Sequence, residues 1–207
     1  MNLPESIKAF LPQYLSAEST DALFEGLESF IENGTTSVIY TTPPDGDITI
    51  YQGDAIVGLP YFNYKTGKVK AIPSIIISNT CDIALENSRK VSKNICYAPL
   101  VRLGTFYDAL VKKFDKNSAD SIVASIKQQK THNILYLPAG SNLLEDHIAF
   151  LDKITNIDNR DISREDLKNS RLFTLSNTGF YLFLLKLSIN FTRIQEKVDR
   201  SFIAASA

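Results

Sequence analysis

The chain has 207 residues with 44% hydrophobic and 22% charged content, the profile of an ordinary globular protein with enough length for a sizeable core. It has no apolar run of membrane length, and Pro4 and Glu5 stand where a secretory leader would carry basic residues, so the composition speaks against a membrane protein and for a cytoplasmic one. Two cysteines, Cys81 and Cys96, give neither a metal spacing nor a disulfide framework. The formal net charge of −1 hides an asymmetry. Residues 1–60 hold one Lys against nine acids, and residues 61–131 hold twelve Lys or Arg against five acids. A basic middle suits an anionic partner, or the chain's own acidic N-terminal part.

In chain order, residues 3–14 and 17–32 read as two helices, the second with Leu23, Leu27, Phe30 and Ile31 on one face and a stop at Asn33-Gly34. Ser37 to Thr42 reads as a strand, followed by a Pro-Pro-Asp-Gly turn and an extended segment from Ile48 to Tyr51. Ala55 to Leu59 is a short apolar strand that Pro60 ends or confines to an edge. Tyr64 to Lys68 is a hairpin loop, and the β-branched run Ile72 to Ile77 suits a strand buried on both faces. After it comes Ser78-Asn79-Thr80-Cys81-Asp82, a polar cluster placed where functional loops commonly sit. A polar segment leads to the strand Ile95 to Val101.

Phe106 to Phe114 and Ser118 to Gln129 read as an inserted helical pair within residues 105–130. Ile134 to Leu137 is a strand stopped by Pro138, and Ile148 to Ile157 is another. From Ser176 to about Arg200 the residues Phe180, Phe183, Leu184, Leu187, Phe191, Ile194 and Val198 fall on one helical face, so a long buried or dimer-forming C-terminal helix is expected. Lys186, amid these apolar residues, is expected to snorkel to the surface. Short strands and polar turns point to a small barrel or sandwich.

The order of motifs from Gly53-Asp54 through the apolar strands to Ala98-Pro99-Leu100-Val101 resembles the MazF/PemK plasmid-maintenance toxin family. So does the late patch from His147 to Asp158. The resemblance implies an α+β chain built on a small antiparallel SH3-like β-barrel. It is read as a single domain over 1–207, with a helical extension at 1–34, a barrel core of five or six strands at 37–157 and the C-terminal helix at 176–200. It also implies RNA as a ligand, an antitoxin or other protein partner, and a toxin–antitoxin, stress or phage-defence setting. Ile72 stands where the family commonly has a basic residue, and Val101 where it commonly has Ser or Thr. The resemblance therefore carries the barrel further than it carries the nuclease, and the leading expectation is a non-catalytic binding module. The alternative is a metal-independent endoribonuclease acting on single-stranded RNA.

Candidate site residues follow from both arguments. Ser78, Thr80, Cys81, Asp82 and Arg102 are the candidate ligand-binding set. For a nuclease, Arg102 would stabilise charge on phosphorus and Asp82 would orient or accept a proton. Cys81 beside a carboxylate is poorly activated as a nucleophile, and the plainer reading is a small buried Cys with Asp82 capping the next turn. His147 reads first as a structural histidine, although RNA cleavage without metal needs some proton carrier. Arg193 and Arg200 share a helix face with Glu196, which suits a salt bridge better than a phosphate site. No phosphate-binding glycine loop or zinc signature occurs, so no metal and no cofactor are expected. A homodimer through the C-terminal helix remains open.

Overall fold

The computed structural model describes residues 39–43, 46–87 and 93–192. The two N-terminal helices expected within 1–34, the end of the C-terminal helix, and Arg193 and Arg200 lie outside the described residues.

Eight strands and five helices are described. In chain order they are β1 (Tyr40–Thr41), β2 (Ala55–Asn63), β3 (Lys68–Ile76), α1 (Thr80–Ile83), β4 (Asn94–Arg102), α2 (Leu103–Val111) and α3 (Lys116–Lys127). Then come β5 (Ile134–Leu137), β6 (His147–Phe150), β7 (Thr155–Asp158), α4 (Leu167–Ser170), β8 (Arg171–Leu175) and α5 (Asn177–Thr192). All pairings are antiparallel, in the order β1-β8-β2-β3-β4-β6-β5, with β7 also on β4. The protein is thus α+β, as the sequence reads.

Two expectations about the sheet are corrected. The hydrogen-bonded path runs from β1 to β5 without closing, so the expected closed barrel is an open sheet. The core also does not end at residue 157. Arg171–Leu175 forms β8, which sits between β1 and β2. A five-residue run buried on both sides carries neither alternation nor helical periodicity, which hid it in the sequence.

Pro60 does not end β2. It lies within the strand opposite Ala71, and its missing donor faces a side where no ladder is needed, because β8 pairs only with Ala55 and Ile56. The stretch expected as one strand from Ile148 to Ile157 is two. β6 pairs with the last three residues of β4 and β7 with its first four, and the turn at Leu151-Asp152 separates them.

The core lies on both faces of the sheet centre. Ala55, Ile75, Ala98 and Leu100 pack with Leu103, Ile126, Leu182 and Phe183 on one face. Their neighbours Ile56, Ile76, Ile95 and Tyr97 pack with Ile83, Ile162 and Leu167 on the other. The period-2 alternation of a strand sends adjacent isoleucines to opposite layers, so Ile75 and Ile76 are both fully covered.

In α5 the expected face is rotated. Tyr181, Leu182, Phe183 and Lys186 are buried, Leu187 is half-buried against the core, and Phe191 is exposed. Lys186 does not snorkel. It is 3% exposed, and its Nζ donates to the carbonyls of Gln129, at 3.0 Å, and Thr131.

Candidate functional site

The polar cluster after β3 is mostly consumed by the backbone. Ser78 Oγ accepts from the Cys96 amide at 2.8 Å and holds the turn against β4. Thr80 Oγ1 accepts from the Gln52 amide at 2.9 Å, while Gln52 Nε2 donates to the Ile77 carbonyl. Asn79, not Asp82, caps α1 by accepting from the Cys81 amide. Asp82 instead meets Lys93 Nζ at 2.5 Å. Cys81 is exposed rather than buried, and its carbonyl accepts from Asn87 Nδ2. The turn is a built structural corner, with the Cys81 thiol at its surface.

Arg102 is not part of that corner. It ends β4, six residues beyond the Cys96 to which Ser78 is tied, and strand rise sets the two about 20 Å apart. Asp82 and Arg102 are therefore not brought together. Arg102 pairs instead with His147 in the β4–β6 register, a residue 45 positions away in sequence. Its Nε meets Glu145 Oε1 at 3.2 Å. His147 Nδ1 lies 2.7 Å from the Glu145 carbonyl. A carbonyl only accepts, so the neutral ring carries its proton on Nδ1 and leaves Nε2 as an acceptor. Beside this pair, Asp146 accepts from Lys127 Nζ at 3.0 Å, the Tyr136 hydroxyl at 2.9 Å and the Ala139 amide at 3.0 Å. Burial pushes the Asp146 carboxyl up, but these three donors together hold it below the usual carboxylate range.

A third feature escaped the sequence reading. β2 and β3 remain paired from Leu59↔Ile72 to Asn63↔Lys68, past the last contact of β2 with β8 and of β3 with β4. Among the described residues the outer half of the hairpin pairs with no further strand and forms a two-stranded arm. The bulge between Ile56 and Leu59, with Gly58 at φ +86°, bends β2 at the base of the arm, where the Tyr97 hydroxyl donates to the Pro60 carbonyl. Residues 55–81 contain three lysines, Lys65, Lys68 and Lys70, and no acid. All three lysines are exposed. The register puts Tyr61, Asn63, Lys68 and Lys70 on one face, and Pro60, Phe62, Val69 and Ala71 on the other. Tyr64 is 89% exposed, and its ring meets Phe62 edge-on at 4.8 Å. The signal was present in the order Tyr-Phe-Asn-Tyr-Lys, but only the length of the pairing shows that these residues project.

Among the described residues no group of His, Cys, Asp and Glu could hold a metal ion, and no helix is long and apolar enough to cross a membrane. A scan against protein-family models gives no match for this chain, and neither does a search of curated proteins.

Proposed function

We propose that the protein is a non-catalytic RNA-binding module, an opened variant of the SH3-like barrel of MazF/PemK proteins, and that the β2–β3 arm is its RNA contact. The carrying observation is the arm itself. It presents three exposed lysines with no acid among them, interleaved with three aromatic rings, on a ribbon that no further described strand pairs with. Lysines track a phosphate backbone, and exposed rings stack on unpaired bases whatever their sequence. The motif resemblance supports RNA as the polymer and a stress or defence locus as the setting.

Fluorescence anisotropy with a labelled single-stranded RNA tests this. Binding should weaken as salt rises, and the Lys68→Glu/Lys70→Glu variant should flatten the log–log salt slope by about 1.4, which is two contacts at roughly 0.7 each. An unchanged slope would remove the arm from the interface.

A metal-independent endoribonuclease is the second reading, favoured by the pairing of Arg102 with His147 and the acceptor left on Nε2. In it, Nε2 takes the 2′-hydroxyl proton, the 2′-oxygen attacks phosphorus, and the 5′-oxygen leaves with that proton. Arg102 holds the charged phosphoryl oxygens. Intact RNA after incubation in a metal chelator supports the binding module. A 2′,3′-cyclic phosphate product that disappears in His147→Gln supports the nuclease.

A further inference from the structure

The arm that carries the lysines also exposes an apolar face. Pro60, Phe62, Val69 and Ala71 share it, with Phe62 40% and Val69 64% exposed. Lys65, Lys68 and Lys70 enter no ion pair among the described residues. The arm therefore leaves an apolar strip open, with positive charge around it.

The chain's own sequence holds the complement of both. Residues 17–32, which lie outside the described residues, carry Glu18, Asp21, Glu25, Glu28 and Glu32 and no Lys or Arg. On the helix that their periodicity predicts, these acids line one face, next to the face of Leu23, Leu27, Phe30 and Ile31. A helix and a two-stranded ribbon are each about 10 Å wide, so acids at the helix margin meet lysine stems that reach round the ribbon edge. The chain is also long enough. The Ile39 carbonyl accepts from the Ser176 amide just past one end of β8, and the arm leaves the sheet beyond the Arg171 end. Strand rise sets Ile39 and Leu59 about 25 Å apart. Residues 33–38 span about 20 Å when extended, and residues 17–32 about 24 Å as a helix, enough to reach the arm and run along it.

We propose that residues 17–32 dock on the apolar face of the arm and cover it. The consequence for RNA rests on the reading of the arm as the RNA contact: a cover closed about nine-tenths of the time weakens RNA binding about tenfold.

Phe62→Trp tests the docking, because it gives the full chain its only tryptophan, on that face. Its emission should be blue-shifted and its quenching by acrylamide slow. Leu27→Asp should shift the emission to the red and raise the quenching constant several-fold. Glu25→Lys/Glu28→Lys should do the same. Adding Lys68→Glu/Lys70→Glu to that charge reversal should restore protection, which a merely misfolded segment would not allow. The proposal is overturned if the reporter is as open in the parent as in Leu27→Asp, or if the charge exchange restores nothing. Protection that grows with protein concentration also overturns it, by assigning the face to a second copy. With Phe62 in place, Leu27→Asp should tighten binding of single-stranded RNA about tenfold. The reporter needs no RNA, so the two readings fail separately. A protected reporter in a chain whose opened variant binds no RNA keeps the docking and removes the RNA contact. An exposed reporter, with a salt slope that flattens in Lys68→Glu/Lys70→Glu, does the opposite.

Discussion

Asp54 and Arg171 form an ion pair that the fold buries. They are 0% and 6% exposed, and Arg171 Nε sits 3.2 Å from Asp54 Oδ2. The Tyr51 amide donates to the same carboxylate oxygen, and Arg171 Nη2 donates to the Thr49 carbonyl. One ion pair thus ties β8 to the entry of β2. Burial raises the Asp54 carboxyl to about 6, against the pull of the Tyr51 amide and Arg171. A carboxylate whose folded value lies above its unfolded one costs stability as pH rises from about 4 to 6, and Arg171 offsets that cost. Arg171→Met should therefore destabilise the protein by about 3–5 kcal/mol at pH 7, where the stranded carboxylate is charged. The loss should be smaller at pH 5, where it protonates. Urea unfolding at the two pH values measures this, and an equal loss at both would mean that Asp54 is not the group responding. None of this was legible in the sequence. Gly53-Asp54 reads as a strand lead-in, Arg171 lies 117 positions later, and only the β2–β8 pairing joins them. Ser78 and Thr80, by contrast, stand out in the sequence as placed residues and are placed, but for backbone amides.

At the scale of elements, α5 shows why a helix can be recognised and its face misread. Its apolar residues cover so much of the circumference that periodicity alone does not choose the inward side. Packing chooses it. Gly179 lies so close to β1 that a Cβ would come within 2.3 Å of the Ile39 carbonyl oxygen, and this contact fixes the rotation. Phe183 then points inward at 0% exposure and Phe191 outward at 61%. Phe183→Ala should cost about 3–5 kcal/mol, and Phe191→Ala should stay within roughly 0.5 kcal/mol of the parent. Thermal or urea unfolding of the pair decides between the two faces, and equal losses would restore the expected one. Lys186 provides a second check. Burial lowers its amine to about 8, so between that value and its ordinary range the unfolded chain binds more protons and stability rises with pH. Lys186→Met should remove that rise, read as the pH dependence of the melting temperature from pH 8 to 10. The inserted helical pair and most strands were legible because their periodicity is clean. β8 was not, because a short run buried on both sides resembles any apolar segment.

At the scale of the whole molecule, the open sheet has two ends, and side chains finish both. β1 is only two residues long, and its Tyr40 hydroxyl reaches across to the Pro138 carbonyl just past β5, at 2.7 Å. The free edge of β5 is covered by Gln129, whose Nε2 donates to the Tyr136 carbonyl at 2.7 Å and whose Oε1 accepts from the Tyr136 amide at 3.2 Å. One carboxamide thus imitates a neighbouring strand and shields an edge that would otherwise pair with another chain. Gln129 stands just past the end of α3 at φ +57°, a conformation that favours glycine. That makes a sharp test. Gln129→Gly relieves the backbone, so any loss must come from the missing carboxamide. The variant should lose about 1–3 kcal/mol in urea unfolding, the cost of leaving buried backbone groups unpaired. Its Tyr136 amide should exchange faster than the amide of Ile75 in the sheet centre. Unchanged stability would mean that backbone relief offsets the lost bonds or that β5 needs no cover. Gln129→Ala, which brings no such relief, separates the two: a loss there keeps the edge-covering role, and its absence ends it.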